Sequence, residues 1–343
     1  MKALMHTAPL RFEFMEVPMP EVGDEDVLVR VKAVGICGSD LHGYTGETGR
    51  RIPPIIMGHE ASGVVEQVGK RAQGLAVGDR ITFDSTVYCN QCPACRQGKV
   101  NLCQSRQILG VSTPTFRRHG CMAEYVTLPW WITYQMPAPV SFEDAALVEP
   151  AGVSMHAVRI TDLTVNDLVV VIGAGPIGLF AIQAAKVKGA GKVVAVDVRE
   201  ERLAMARQLG ADVTISPVGK DTAAEMQKAV GRPDADVVLE AVGMQATMDL
   251  AWKLAKLGGH VTLIGNVTPK VTFPLQEVIS KELTVKGSAA IAGEYRAVLD
   301  LMAQGRIQTK PLISKMAPLS EGQAMFDALH KGDPSLMKIV LHP

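Results

Sequence analysis

The chain has 343 residues, room for about two domains at ~150 residues each, and its 47% hydrophobic and 20% charged residues are those of an ordinary soluble globular protein. Its 35 lysines and arginines balance 35 aspartates and glutamates with no basic stripe, which argues against a nucleic-acid partner. The segment Met1–Phe14 mixes Lys2, His6, Pro9, Arg11 and Glu13 and has no signal-peptide core, while the longest apolar stretch, Leu168–Ile182, is broken by Gly173, Gly175, Pro176 and Gly178 and falls short of the ~20 residues a membrane helix needs. Six cysteines without a secretion signal, four of them at metal-like spacing, fit a reducing cytoplasm better than a disulfide framework.

Two textures follow along the chain. Up to about Pro150 it is β-rich and punctuated by glycine and proline. Val27–Val34 and Gly63–Val68 read as strands enriched in β-branched residues, and Gly78-Asp79-Arg80 as a turn into a strand at Ile81–Phe83. From about Ala151 strands and helices alternate. Strands are predicted at Val169–Ile172, Lys192–Asp197, Val213–Ser216, Asp236–Glu240, Gly259–Ile264 and Leu283–Lys286. Helices are predicted at Pro176–Lys188, Glu200–Leu209, Thr222–Val230 and Thr247–Leu257. Six strands with helical crossovers predict an α/β fold with a doubly wound parallel sheet of the Rossmann type. Beyond Gly287 a helix at Glu294–Gln304 and a final one near Glu321–Leu329 close the pattern. The expected domains are thus 1–150 with 288–343, mostly β, and 151–287, the Rossmann domain.

Cys89, Cys92, Cys95 and Cys103 are spaced C-x2-C-x2-C-x7-C. Four thiolates at that spacing can close one tetrahedral site, with zinc the expected occupant and no position left for chemistry. Buried thiols or a disulfide pair are the alternative; the bacterial iron–sulfur run ends C-x3-C-P, which this segment does not match. A second soft pair is Cys37, in Cys37-Gly38-Ser39-Asp40-Leu41-His42, with His59 in Gly58-His59-Glu60. Glu149, before Pro150, could be a third ligand, and three ligands with one open position define a catalytic zinc. Spacing alone leaves this pairing open.

Gly173-Ala174-Gly175-Pro176-Ile177-Gly178 is G-x-G-x-x-G, placed after an apolar strand and opening a helix. The glycines allow a tight turn, backbone approach to a pyrophosphate, and close helix–strand packing, while the helix N-terminus faces the phosphates. Asp197 ends the next strand nineteen residues after Gly178. It is placed to accept the adenosine ribose hydroxyls and to repel a 2′-phosphate, which favours NAD, although Arg199 and Arg202 nearby could accept that phosphate.

Gly58-His59-Glu60-x2-Gly63-x5-Gly69, the C-G-S-D-x-H segment, the four-cysteine lobe and the later G-x-G-x-x-G resemble, in that order, the zinc-dependent medium-chain alcohol dehydrogenase family. Glu149-Pro150 resembles its sorbitol/polyol and threonine dehydrogenase branch, which has Glu-Pro where the classical alcohol dehydrogenases place a cysteine ligand. The resemblance implies a GroES-like, partly open β-barrel as the catalytic domain, with the active site in the cleft beside the Rossmann domain. It implies a catalytic zinc on Cys37, His59 and Glu149, with Glu60 behind them and able to exchange as a ligand, and a structural zinc on the lobe. Ser39 would take the proton of the substrate hydroxyl and His42 would pass it to solvent through the cofactor ribose. Asp40 would orient a zinc-bound histidine. Val153 would pack behind the nicotinamide, and Arg202 would lie near the ribose. The implied partner is a small alcohol, most simply a polyol or sugar alcohol oxidised to a ketone, and the implied assembly is a homo-oligomer, a tetramer or a dimer.

Departures bear on the substrate. Sorbitol-type members carry an arginine a few residues after the strand ending in Lys-Gly, where this chain reads Ser288-Ala289-Ala290-Ile291 after Gly287. Two basic pairs, Arg50-Arg51 and Arg117-Arg118, are loop charges that could instead attract a sugar acid or a sugar phosphate. A vicinal diol or threonine is a further substrate alternative. A catalytically silent protein that binds NAD and zinc is the alternative of another class, though Ser39, His42 and the ligand set are all in place. Cys121, His119, His156, His260 and His330 are read as core or surface residues.

Overall fold

The computed structural model describes residues 1–343. It divides into two compact units, Met1–Glu149 with Ile291–Gly305 and Thr309–Pro343, and Pro150–Ala290 with Arg306–Gln308.

The second unit holds one six-stranded parallel sheet in the order Val213–Ile215, Lys192–Val196, Leu168–Ile172, Ala235–Glu240, Ala255–Leu263, Thr284–Gly287. This is the doubly wound order, with the chain reversing direction across the sheet at Leu168–Ile172. All five residues of that strand are buried, as a central parallel strand covered on both faces requires. The helices Pro176–Lys188 and Thr222–Val230 follow the strands. The helix expected at Thr247–Leu257 runs instead over Gln245–Leu254, because Ala255 already pairs with Ala235 at the start of the next strand. Two helices, Val148–Ile160 and Leu275–Ser280, carried no sequence signal that singled them out.

The first unit is built around the strand Asp26–Gly35. One side of it pairs antiparallel with Glu60–Val68, and the other pairs first with Tyr125–Pro129 and then with Lys338–His342. Arg80–Phe83 and Thr133–Gln135 extend the sheet at one end and Ile313–Pro318 at the other, giving the seven strands of a GroES-like barrel. Alternation along Asp26–Gly35 sends Val27, Val29 and Val31 into a core with Leu4, Ile55, Ile81 and Phe326. One register, Gly35↔Glu60, positions chemistry: Cys37 lies two residues beyond one strand and His59 one residue before its partner, so the ladder brings them together. No helix is long and apolar enough to cross a membrane.

Candidate metal centres and nucleotide loop

Cys37 caps the short helix Gly38–Tyr44. Its sulfur accepts the Ser39 N–H at 3.5 Å, and its own N–H donates to Asp40 Oδ2 at 3.3 Å. The ligand atoms of Cys37, His59 and Glu60 all lie within 4.8 Å of one another. Asp40 is fully buried, with Oδ1 3.3 Å from His59 Nδ1 and 3.1 Å from Arg51 Nη2. Burial alone would raise its pKa, but the charges of His59 and Arg51 hold its carboxyl well below the usual range. Burial likewise opposes charge on His59, and Asp40 and the Cys37 thiolate more than reverse it, so the imidazole is pushed up. With Nδ1 facing Asp40, the other ring nitrogen lies 3.5 Å from Ser39 Oγ.

Arg51 is the unexpected member. Its guanidinium is buried, and Nη2 donates to Ser39 Oγ at 3.3 Å as well as to Asp40. The side chain lies along Gly43, where a Cβ would come 2.1 Å from Arg51 Cγ. Arg51 is therefore no loop charge waiting for an anionic substrate, and that expectation is corrected. Lys338 is the second residue that sequence reasoning missed. It is buried, its Nζ is 2.5 Å from Glu60 Oε2 and donates to Ile36 O at 3.1 Å. Its only sequence signal is a lysine opening an apolar strand, KIVLH.

Glu149 stands apart from the cluster of three. It is held by Ser85, whose Oγ donates to Oε1 at 2.9 Å, and burial raises its pKa, with the Glu60 charge adding to this and His59 opposing it. Beside it, Asp84 is buried with Oδ1 accepting the Thr86 N–H at 2.8 Å and Oδ2 unpartnered; burial pushes its pKa up to about 8. Ser39 and His42 share one face of the same helix three residues apart, and both are exposed. A thiolate, an imidazole and a buried carboxylate with an unpartnered Oε1 form a donor set that suits zinc.

In the lobe, Cys89, Cys92, Cys95 and Cys103 also converge, all as free thiols. Cys89 and Cys95 sulfurs are 4.0 Å apart and Cys92 and Cys95 sulfurs 3.5 Å, close to the ~3.8 Å between thiolates bound tetrahedrally at ~2.3 Å to one ion. None of the four is paired in a disulfide. The Gln91 and Cys92 N–H groups lower the Cys89 pKa to about 6, whereas burial pushes Cys95 up to about 12. The segment is less of a loop than its composition implies, with a helix at Pro93–Arg96 and a 3-10 turn at Val100–Leu102.

In the second unit Gly178 cannot carry a side chain, because a Cβ would meet Gly173 O at 1.7 Å. Gly175 caps the helix that Pro176 and Ile177 open. Asp197 is buried; Oδ2 accepts the Ala174 N–H at 2.7 Å, Oδ1 accepts the Arg199 N–H at 2.9 Å, and Arg202 Nη1 is 3.7 Å from Oδ2. Its charge is thus fixed against the glycine loop. Val153 is half-buried, next to Ser154, whose hydroxyl donates to Ile177 O at 2.8 Å.

A parallel-sheet nucleotide unit joined to a β-barrel with one open and one closed metal cluster defines a zinc-binding, nicotinamide-nucleotide-dependent oxidoreductase. Known proteins agree. Residues 23–138 match the alcohol dehydrogenase GroES-like domain and residues 176–304 the zinc-binding dehydrogenase domain. "Probable D-xylulose reductase A" of Neosartorya fischeri is 36% identical over 332 residues, covering 93% of this chain and 91% of that protein. Among solved structures, alcohol dehydrogenase TADH from Thermus sp. ATN1 is 34% identical with a TM-score of 0.93, covering 100% of this chain and 99% of that one. Galactitol-1-phosphate dehydrogenase from Escherichia coli is 28% identical with a TM-score of 0.90, covering 100% of both chains. The chain belongs to the zinc-dependent medium-chain alcohol dehydrogenase family.

Proposed function

We propose that this enzyme reversibly oxidises a secondary alcohol of a polyol or sugar alcohol to a ketone with NAD. The observation that carries the reading is the cluster of Cys37, His59 and Glu60 beside the exposed hydroxyl of Ser39. The D-xylulose reductase relative supports a polyol over a simple alcohol. When bound, zinc acts as a Lewis acid on the hydroxyl oxygen and the nicotinamide takes the hydride, so the secondary alcohol and oxidised NAD become the ketone, NADH and a proton.

The chain's own residues handle that proton. Ser39 Oγ accepts an N–H from Arg51 and donates toward Cys37 Sγ at 3.4 Å, leaving one lone pair to receive the substrate's hydroxyl hydrogen. As Ser39 takes that proton it gives up its own, and His42, exposed on the same helix, hands the released proton to solvent. Asp40 fixes the His59 ring, and Lys338 balances the Glu60 charge. We assign residues 1–150 and 288–343 to catalysis and 151–287 to the nucleotide, with Gly173, Gly175, Pro176, Ile177 and Gly178 at the pyrophosphate, Asp197 at the ribose and Val153 behind the nicotinamide. Cys89, Cys92, Cys95 and Cys103 take the structural zinc. Glu149, tethered to Ser85, is the reserve carboxylate for the catalytic one. We further place the enzyme in the cytoplasm as a homo-oligomer, a tetramer in preference to a dimer.

The test is NADH formation by zinc-loaded protein with xylitol, sorbitol, ribitol, butanediol, threonine, sugar acids and sugar phosphates, with NADP in parallel. Chelator-sensitive reduction of NAD by the polyols is expected, with NADP poorer because of the Asp197 charge. Activity confined to the acids or phosphates overturns the polyol assignment. No reduction of either cofactor supports the silent binding protein.

A further inference from the structure

The basic pair Arg117-Arg118 is not used by this chemistry, and it lines a cavity of about 560 Å³ in the first unit. That volume is in the range of small-molecule sites. None of Cys37, Ser39, His59 and Glu60 lines it. Its lining is apolar at Met5, Val17 and Pro20 among others, and polar at Arg117, Arg118, His119 and Asp26.

Three features give the cavity a preference. Arg118 is half-buried, yet its guanidinium makes a single long hydrogen bond, Nη2 to Thr127 O at 3.5 Å, so most of its donors are unused. His119 accepts the Ile56 N–H on Nδ1 at 3.1 Å, which places its ring hydrogen on Nε2 and makes it a second donor. Asp26 offsets part of the positive charge of Arg117, Arg118 and the Met1 ammonium, leaving the lining net positive. A carboxylate matches the planar fork of an arginine, and an apolar body matches the rest of the lining.

We propose that this cavity is a binding site for a compact organic monoanion, a carboxylate with an apolar body, separate from the site of alcohol oxidation. The head group pairs with Arg118 and His119, and the body covers Met5, Val17 and Pro20. Ile56, which His119 holds, is three residues before His59, so an occupant would touch the segment that carries the metal histidine.

The experiment is calorimetric titration of the zinc- and NAD-loaded enzyme with sodium hexanoate, using hexanamide as the uncharged control. Expected is saturable hexanoate binding that hexanamide does not reproduce, that weakens about tenfold or more in Arg118→Met, and that is also lost in Val17→Phe, which fills the cavity from its apolar lining with Arg118 intact. The wild-type titration is repeated with saturating polyol, which is expected to leave it unchanged. Hexanamide binding as tightly, unaltered binding in both variants, or displacement of hexanoate by the polyol would each overturn the proposal.

Discussion

The two cysteine-bearing clusters of the first unit are built in opposite ways. The lobe is local: its four ligands come from fifteen consecutive residues, and its sulfurs meet backbone N–H groups and one another. The cluster at Cys37 is assembled from the ends of two paired strands and arrives with its own cations, Arg51 on Asp40 and, from the far end of the sequence, Lys338 on Glu60. The lobe has no cation of its own to hold its four sulfurs together, so its shape is expected to depend on a bound metal. A centre already balanced by buried ion pairs keeps its shape without the metal and gives it an open position for chemistry. On the proposed reading, one metal serves the fold and the other the reaction.

The contrast between the clusters is tested most severely at Cys37. Cys37→Ser should lower turnover by about a thousandfold or more, since the metal supplies several kcal/mol to the transition state. NAD affinity, read by fluorescence titration, should stay near wild type. Equal losses in both would end the division of labour proposed for the two units.

Arg51→Met tests whether the open centre is held by its ion pairs. It strips a buried carboxylate of a partner and should cost about 3 kcal/mol in urea unfolding. It should also reduce kcat through misplacement of Ser39, and Arg51→Lys should recover part of both. A variant as stable as wild type would show that Asp40 is adequately held by His59 alone.

Cys95→Ser is the complementary change in the lobe. Metal analysis should show about one zinc fewer per chain, with a lower Tm and kcat at room temperature largely preserved. Loss of turnover at unchanged stability would reverse the roles assigned to the two clusters.

The last test, at Asp84, reads a pH dependence and leaves the metal clusters untouched. Its pKa rises from 3.8 to about 8 on folding. Between those values the folded chain holds a proton that the unfolded chain has released, so stability is full below pH ~4 and falls as pH rises toward about 8. Asp84→Asn should flatten that decline in Tm between about pH 5 and 8, and an unchanged slope would show that Asp84 ionises normally.

How legible this was depended on sequence distance. The lobe, the glycine loop with the helix Pro176–Lys188 that it opens, and the helix Thr222–Val230 have local causes, namely ligand spacing, a strand-to-turn junction with proline at the first helical position, and amphipathic periodicity. The hairpin of Lys2–Ala8 with Arg11–Glu16 escaped notice because the first strand buries its residues irregularly while the turn is made by Leu10 at φ 58°. Ile313–Pro318 and Lys338–His342 are strands only by virtue of each other and of Asp26–Gly35. The same holds within the site. Cys37 and His59 are brought together by a ladder between neighbouring segments, whereas nothing in Gly49-Arg50-Arg51-Ile52 says which arginine turns inward. That is decided by the bare backbone of Gly43.

Lys338 has a consequence in time. It reaches Glu60 from the far end of the chain and bonds Ile36, 302 residues earlier. While the protein is being synthesised, Glu60 therefore has no counterion until the whole nucleotide-binding segment has left the ribosome. A carboxylate cannot be enclosed unpaired at acceptable cost. The nucleotide unit, nearly continuous from Pro150 to Ala290, can fold first. The barrel must wait half-made for its closing strand, and the catalytic centre is completed only after translation has passed Lys338.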